Sequence, residues 1–220
     1  MKKKNGEEEE KFGMNQETIN NLILLQRRGI EYGGHIEKNK IAGVRVGRPT
    51  SVETDVSIGT PDYDFHVHPS SIPSPPSLGN KKKEEKEFVC SVAKSAIRTS
   101  MISPEDTFIA LQVRSMKGVS SLMVSEYIMT KYFLNDPVKY EAFKEIVKIK
   151  YGNKNETSIM RALDDAFVLI LNEEMEDAYG KRQQFSACDD ITIEKNLKTR
   201  WYAFLMESGL SIEEKEISYK

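Results

Sequence analysis

The stretch Tyr63-Asp64-Phe65-His66-Val67-His68-Pro69 constrains this chain more than any other. Successive side chains of a strand point to opposite faces, so His66 and His68 face one way and Phe65 and Val67 the other. Two imidazoles on one strand face, with Cα atoms roughly 7 Å apart, can converge on one metal ion. Phe65 and Val67 are then the buried back of the strand. Pro69 has no N–H to donate and ends the ladder, so the histidines sit where a strand gives way to a loop. A bare His-x-His is more often a pair of half-exposed residues that bind nothing, so its surroundings carry the argument.

Upstream, Asn15 is placed as the N-cap of a helix whose first turn is Gln16-Glu17-Thr18, with Gly29 as its stop. The period then changes. Ile30 to Glu37 reads as a strand in which Gly33 and Gly34 permit a close backbone approach or a bulge. Lys38-Asn39-Lys40 is a turn. Residues 41–46 and 51–58 read as further strands, and antiparallel pairing of near neighbours is the simplest arrangement.

Downstream, residues 69–83 are rich in proline, serine and lysine and read as an extended loop. Helical period returns over 84–99, with Phe88, Val89, Val92, Ala93, Ala96 and Ile97 on one face. Ser103-Pro104-Glu105-Asp106 has the form of a helix start, with Ser as N-cap and Pro at the first helical position. The helix it opens carries Phe108, Ile109, Leu111 and Met116 on its apolar side. Residues 119–133 are rich in β-branched and aromatic residues and read as two strands with a turn near Glu126. Three helices are expected after that: from Asp136-Pro137 to about 150, from Asn155 to about 179 before Gly180, and from about 192 to 208 before Gly209. Trp201, Phe204 and Leu205 form the buried stripe of the last.

The charges nearly cancel, with 32 Lys and Arg against 34 Asp and Glu, which argues against a nucleic-acid partner. No apolar run approaches the roughly 18 residues of a membrane span. The first ten residues lack the apolar core of a secretory signal, so the chain is expected in the cytoplasm, with residues 1–12 a flexible tail and Cys90 and Cys188 both reduced. No Cys-x-x-Cys pair exists to make a thiolate zinc site.

Glu31 in Glu-Tyr-Gly-Gly-His-Ile, the His66-x-His68-Pro69 strand end, the Pro/Ser loop after it and Ser103-x-x-Asp106 follow one another in an order that resembles the JAMM (JAB/MPN) metalloproteases. The resemblance covers about residues 15–133. It implies an α/β fold of the JAB/MPN, cytidine-deaminase-like type: a central mixed sheet flanked by helices over residues 13–134, with 74–102 an insert and 135–220 a helical C-terminal extension. It implies a Zn2+ ion held by His66, His68 and Asp106, Glu31 as general base, and Ser103 as hydrogen-bond donor to the oxyanion of a tetrahedral intermediate. Two imidazoles and a carboxylate are a common catalytic zinc set that leaves one position for water, and zinc brings that water's pKa near neutrality. The implied reaction is hydrolysis of an isopeptide or peptide bond in a protein or peptide substrate, such as a ubiquitin-like conjugate. A non-catalytic scaffold of the same fold is the alternative. A phosphoesterase or nuclease, which also uses His-x-His, needs more His and Asp ligands than one remaining histidine supplies.

The chain departs from the family in one respect. Thirty-four residues separate His68 from Ser103, where the family has a short loop. Two alignments result: an insertion followed by Ser103 and Asp106, or a short loop in which Ser77-Leu78-Gly79-Asn80 takes the place of Ser-x-x-Asp with an asparagine for the carboxylate. The first keeps the ligand chemistry and is preferred. Each residue also has a plainer role open to it: Ser103 and Asp106 as an ordinary cap, Glu31 or its rival Glu37 as a solvated charge, His35 as a strand residue with no metal role.

Overall fold

A computed structural model describes residues 12–28, 30–47, 62–69, 81–114, 118–125, 128–179 and 187–218. Residues 1–11 of the expected tail, the strand at 51–58, most of the Pro/Ser loop, Met116, Gly29 and Gly180 lie outside them, while Phe12, counted with that tail, is buried in the core and its carbonyl accepts from the Tyr63 hydroxyl. The architecture is mixed α/β, with six strands in the spatial order β2-β1-β3-β4-β5-β6.

Helix α1 (Gln16–Gln26) begins where expected, with the Asn15 side chain accepting from the Thr18 N–H. Strands β1 (Tyr32–Glu37) and β2 (Lys40–Val46) form an antiparallel hairpin. Lys38 and Asn39 turn it, both at positive φ, which suits the right-handed twist of the flanking strands. The register shifts between Gly33 and His35, so the glycine pair does mark a bulge. Strand β3 (Tyr63–Val67) lies antiparallel on the other side of β1.

A parallel pairing follows. Strand β4 (Ser120–Ser125) lies alongside β3 in the same direction, so the chain must cross over between them. The crossover carries α2 (Lys81–Thr99) and α3 (Pro104–Ile109), the latter widening into a π-helical turn over Ala110–Arg114. Strand β5 (Ile128–Leu134) returns antiparallel to β4. Then come α4 (Pro137–Tyr151), α5 (Glu156–Tyr179) and α6 (Ala187–Glu207).

Several expectations are corrected. The C-terminal third is not purely helical, because Leu210–Glu216 forms β6, antiparallel to β5 along its whole length. Its sequence, Leu-Ser-Ile-Glu-Glu-Lys-Glu, ends in four charged residues because it is an edge strand whose last four positions are exposed. The cysteines are not both reduced thiols: Cys90 is disulfide-bonded, and Cys188 is the chain's only other cysteine. Helix packing brings positions far apart in sequence together, and here α2 lies against α6, joined also by a Lys94–Asp190 ion pair of 2.6 Å. Val89, expected on the packed face of α2, is 59% exposed, and the neighbouring Cys90 turns inward instead. Two helices also start early, α2 at Lys81 and α6 at Ala187.

The sheet separates two cores. On one face Tyr32, Ile36, Phe65, Val67, Leu122, Val124 and Met129 pack beneath Ile19, Leu22 and Ile23 of α1. On the other, Met123 and Tyr132 join Ile102, Leu111, Leu163, Trp201 and Leu205 from the helices. Gly209, at φ +103, closes α6 where a Cβ would lie 2.5 Å from the Asp136 carbonyl oxygen. The start of α4 and the end of α6 therefore touch backbone to backbone, with the N–H groups of Asn135 and Asp136 donating to Gly209 O. Sheet and C-terminal helices share one core.

Candidate metal centre

The site lies on the helix-covered face, at the end of β3. Phe65 and Val67 are 1% and 0% exposed, so the back of the strand is buried as the alternation requires. The last ladder bond runs from His68 N–H to Val124 O at 2.9 Å, and Pro69 follows. On the front face, His66 Nε2 and His68 Nε2 lie 3.1 Å apart. Gly33 is the partner of His66 across the β1–β3 ladder, so no β1 side chain competes for that position. Gly34 serves the back face: a Cβ there would stand 3.0 Å from the Phe65 ring and 2.9 Å from Ala42 O.

The crossover brings the third group. Ser103 is the N-cap of α3, and the capping box is complete. Its hydroxyl accepts from Asp106 N–H at 3.0 Å and donates to Asp106 Oδ2 at 2.7 Å, while Ser103 N–H also donates to Oδ2 at 3.2 Å. With Oδ2 doubly engaged, Oδ1 faces the histidines, 3.6 Å from His66 Nε2. One ligand atom from each of His66, His68 and Asp106 fits within 4.8 Å of the others, the one such cluster among the described residues that can hold a metal ion.

The donor chemistry fits a cation. His68 Nδ1 lies 2.6 Å from the Thr99 carbonyl oxygen. A carbonyl only accepts, so Nδ1 carries the proton and Nε2 presents a lone pair. Orientation of a ligating imidazole by a carbonyl is the usual arrangement around a bound metal. Burial, reinforced by the neighbouring His66, pushes His68 down to about 4, while Asp106 and the Thr99 carbonyl pull weakly the other way. His68 is thus neutral at physiological pH, as a ligand must be. For Asp106, burial raises the carboxyl, but the two histidines and the bonds from Ser103 outweigh it and hold the group below the usual carboxylate range. His68 Nε2 presents a lone pair, and with His66 Nε2 and the Asp106 carboxylate oxygen it makes a set that a cation can bind.

Glu31 is 8% exposed, immediately before β1. Tyr32 pairs with Val67, so the register runs on to set Glu31 beside His68. Burial first, then the negative charges of Asp106 and Glu105, push its carboxyl up to about 7. The rival Glu37 is exposed at the opposite end of β1, paired with Lys40. His35 sits apart from the cluster, opposite Asp64 in register, with its ring over Gly43, where a Cβ would come within 2.6 Å.

The structure therefore brings His66, His68 and Asp106 together, with Ser103 bonded to Asp106 and Glu31 alongside. The hydroxyl proton of Ser103 points at Asp106, so it orients that carboxylate here, and donation to a substrate requires it to turn away. Sequence reasoning missed Thr99, whose contribution is a main-chain carbonyl and has no signature in residue type. Asn80 lies outside the described residues. No helix is long and apolar enough to cross a membrane among the described residues. No family model matches this chain, and neither a curated protein nor a solved structure is similar to it.

Proposed function

We propose that this protein is a zinc-dependent hydrolase of amide bonds, of the JAMM type, with an isopeptide or peptide bond as its target. The observation that carries the reading is the convergence of two imidazole Nε2 atoms and one carboxylate oxygen beside a buried glutamate whose proton is balanced near neutral pH. A mixed sheet with α1 on one face and the Asp106 helix on the other is compatible with a JAB/MPN-like fold.

His66, His68 and Asp106 would hold the ion, and zinc suits two neutral nitrogens and one oxygen with a position left open. A bound zinc ion supplies Lewis acidity toward water and toward an amide carbonyl. The chain's own groups do the rest. Glu31, with a pKa of about 7, takes a proton from water and passes it to the departing amine at little cost in either direction. Its burial keeps competing protons away, and the charge on Asp106 keeps it basic enough to accept one. Ser103 holds Asp106 in place through the capping box and, once turned, offers a hydrogen bond to the oxygen of the attacked carbonyl. A protein carrying a ubiquitin-like tail on a lysine is the substrate class the resemblance favours.

The test begins with elemental analysis of dialysed protein. Wild type is expected to carry about one zinc per chain, and His66→Ala/His68→Ala none. Equal metal in both sinks the metal centre. A panel of ubiquitin-like fusions and short peptide amides then separates an enzyme from a scaffold: zinc at full occupancy with no hydrolysis of any member supports the scaffold.

A further inference from the structure

The residues 99–103 carry no regular secondary structure at their centre, yet the site hangs from both their ends. Thr99 O, the last carbonyl of α2, accepts from His68 Nδ1, and Ser103 caps the helix that presents Asp106. What holds the middle is α6. Tyr202 Oη donates to Ser100 O at 2.9 Å, and Trp201 Nε1 donates to Ile102 O at 2.7 Å. Lys198 Nζ donates to Ser100 Oγ at 2.9 Å, and that hydroxyl in turn donates to Ile97 O at 2.8 Å. Lys198 is itself anchored to Glu214 of β6 at 2.6 Å, the carboxylate that also accepts from Thr130 Oγ1 at 3.3 Å. Ser100, Ile102 and Trp201 are 1%, 0% and 0% exposed. Both carbonyls are satisfied by side chains about a hundred residues away, not by the backbone of a neighbouring turn.

We propose that Tyr202, Trp201 and Lys198 of α6 are positioning residues for the metal centre: by pinning the carbonyls of Ser100 and Ile102 and the Ser100 hydroxyl they aim Thr99 O at His68 and fix Ser103 beneath Asp106. The ion is the one proposed above, and that part of the inference rests on that reading; the aim of His68 does not. The logic is geometric. A short linker has few ways to rotate one peptide without rotating the next. Removing the tyrosine hydroxyl leaves a buried carbonyl without its donor, and the linker relaxes toward another partner. That turns Thr99 O away from His68 Nδ1. Loss of the outer partner of a ligating histidine weakens metal binding by about 10- to 100-fold, and a residue one step further out is expected at the lower end.

The experiment compares full-length wild type with Tyr202→Phe and Val147→Ala. Val147 is 1% exposed in the same core but makes no bond to the linker, so it controls for lost stability. Two quantities are read: the zinc Kd by chelator competition, and the His68 Nδ1–H signal by NMR of the metal-free protein. Tyr202→Phe is expected to weaken zinc binding about tenfold and to broaden or lose the His68 Nδ1–H signal. Val147→Ala is expected to lower Tm and leave both unchanged. The inference is overturned if Tyr202→Phe leaves both readings at wild type, or if Val147→Ala moves them equally. A wild type that binds no zinc sinks the metal reading, and the His68 signal alone then decides this one. Should Tyr202→Phe not fold, Lys198→Met answers the same question, since it removes the bond to Ser100 Oγ and keeps the stem.

Discussion

At the scale of single residues, Glu31 carries the sharpest expectations. Glu31→Gln keeps size and hydrogen bonding but cannot accept a proton. Hydrolysis is expected to fall by about two to four orders of magnitude, with zinc content unchanged by elemental analysis. If Glu31→Gln hydrolyses at the wild-type rate, Glu31 is not the base. The same residue sets a pH dependence of stability in the metal-free protein. Its folded pKa of about 7 lies above the ordinary 4.5. Between those values the folded chain keeps a proton that the unfolded chain has released, so stability falls as pH rises through this window. The destabilisation is complete above about pH 7, at about 1–3 kcal/mol. Tm of Glu31→Gln relative to wild type should therefore climb between pH 5 and pH 8; a constant difference would mean that Glu31 ionises normally. Glu31 was legible as a candidate only through the resemblance, which places a glutamate upstream of His66-x-His68-Pro69. Its raised pKa was not, since that depends first on burial in the finished fold and then on Asp106 and Glu105, which the crossover delivers from far along the chain.

At the scale of elements, the strand-and-cap logic held where short-range chemistry decides. Asn15, Ser103 and Asp136 cap the helices they were expected to start, because a cap is made within four residues. The alternation in β3 held because one face is buried. What failed was long-range. β6 escaped notice since an edge strand need not alternate, and the disulfide at Cys90 escaped notice since spacing says nothing about which helices pack. The insertion raised a choice between Asp106 and Asn80, and the capping box decides what to expect. Asp106→Ala should lose zinc and also the bonds of the cap, at a cost to stability of about 1 kcal/mol, while Asn80→Ala should keep both. Zinc retained in Asp106→Ala and lost in Asn80→Ala would establish the short-loop alignment. Replacing residues 74–100 by a Gly/Ser linker tests whether that stretch is a dispensable insert. The resemblance implies an insert over 74–102, but α2 packs on α6 and its last carbonyl holds His68, so zinc binding should weaken. Undiminished zinc affinity in that variant would make α2 dispensable to the site.

At the scale of the whole molecule, one sheet and one helical layer share their interior. Trp201 is fully buried, edge-on to Phe167 at 5.2 Å and stacked with Phe204 at 5.4 Å. Leu205 is 0% exposed beside them. Leu205→Ala should cost about 2–5 kcal/mol, read from urea unfolding in one cooperative transition that tracks both sheet and helices. Two separate transitions, with only the helical one shifted, would show that the C-terminal helices fold apart from the sheet. That unity was hidden in the sequence because the family pattern stops near residue 133, and the partners of the later helices are residues such as Ile102 and Met123.

The parallel pair β3–β4 and the clamp from α6 have a consequence for the order in which the molecule comes into being. A chain grows from its N-terminus, so His66, His68 and Asp106 all emerge before the helix that aims them. Ninety-four residues lie between Asp106 and Trp201, which at about 5–20 residues per second is a delay of about 5–19 s. During that interval the ligands exist without their geometry. On the proposed reading, the geometry that would take up a metal ion is therefore completed only after α6 has emerged and docked, well after the ligands themselves.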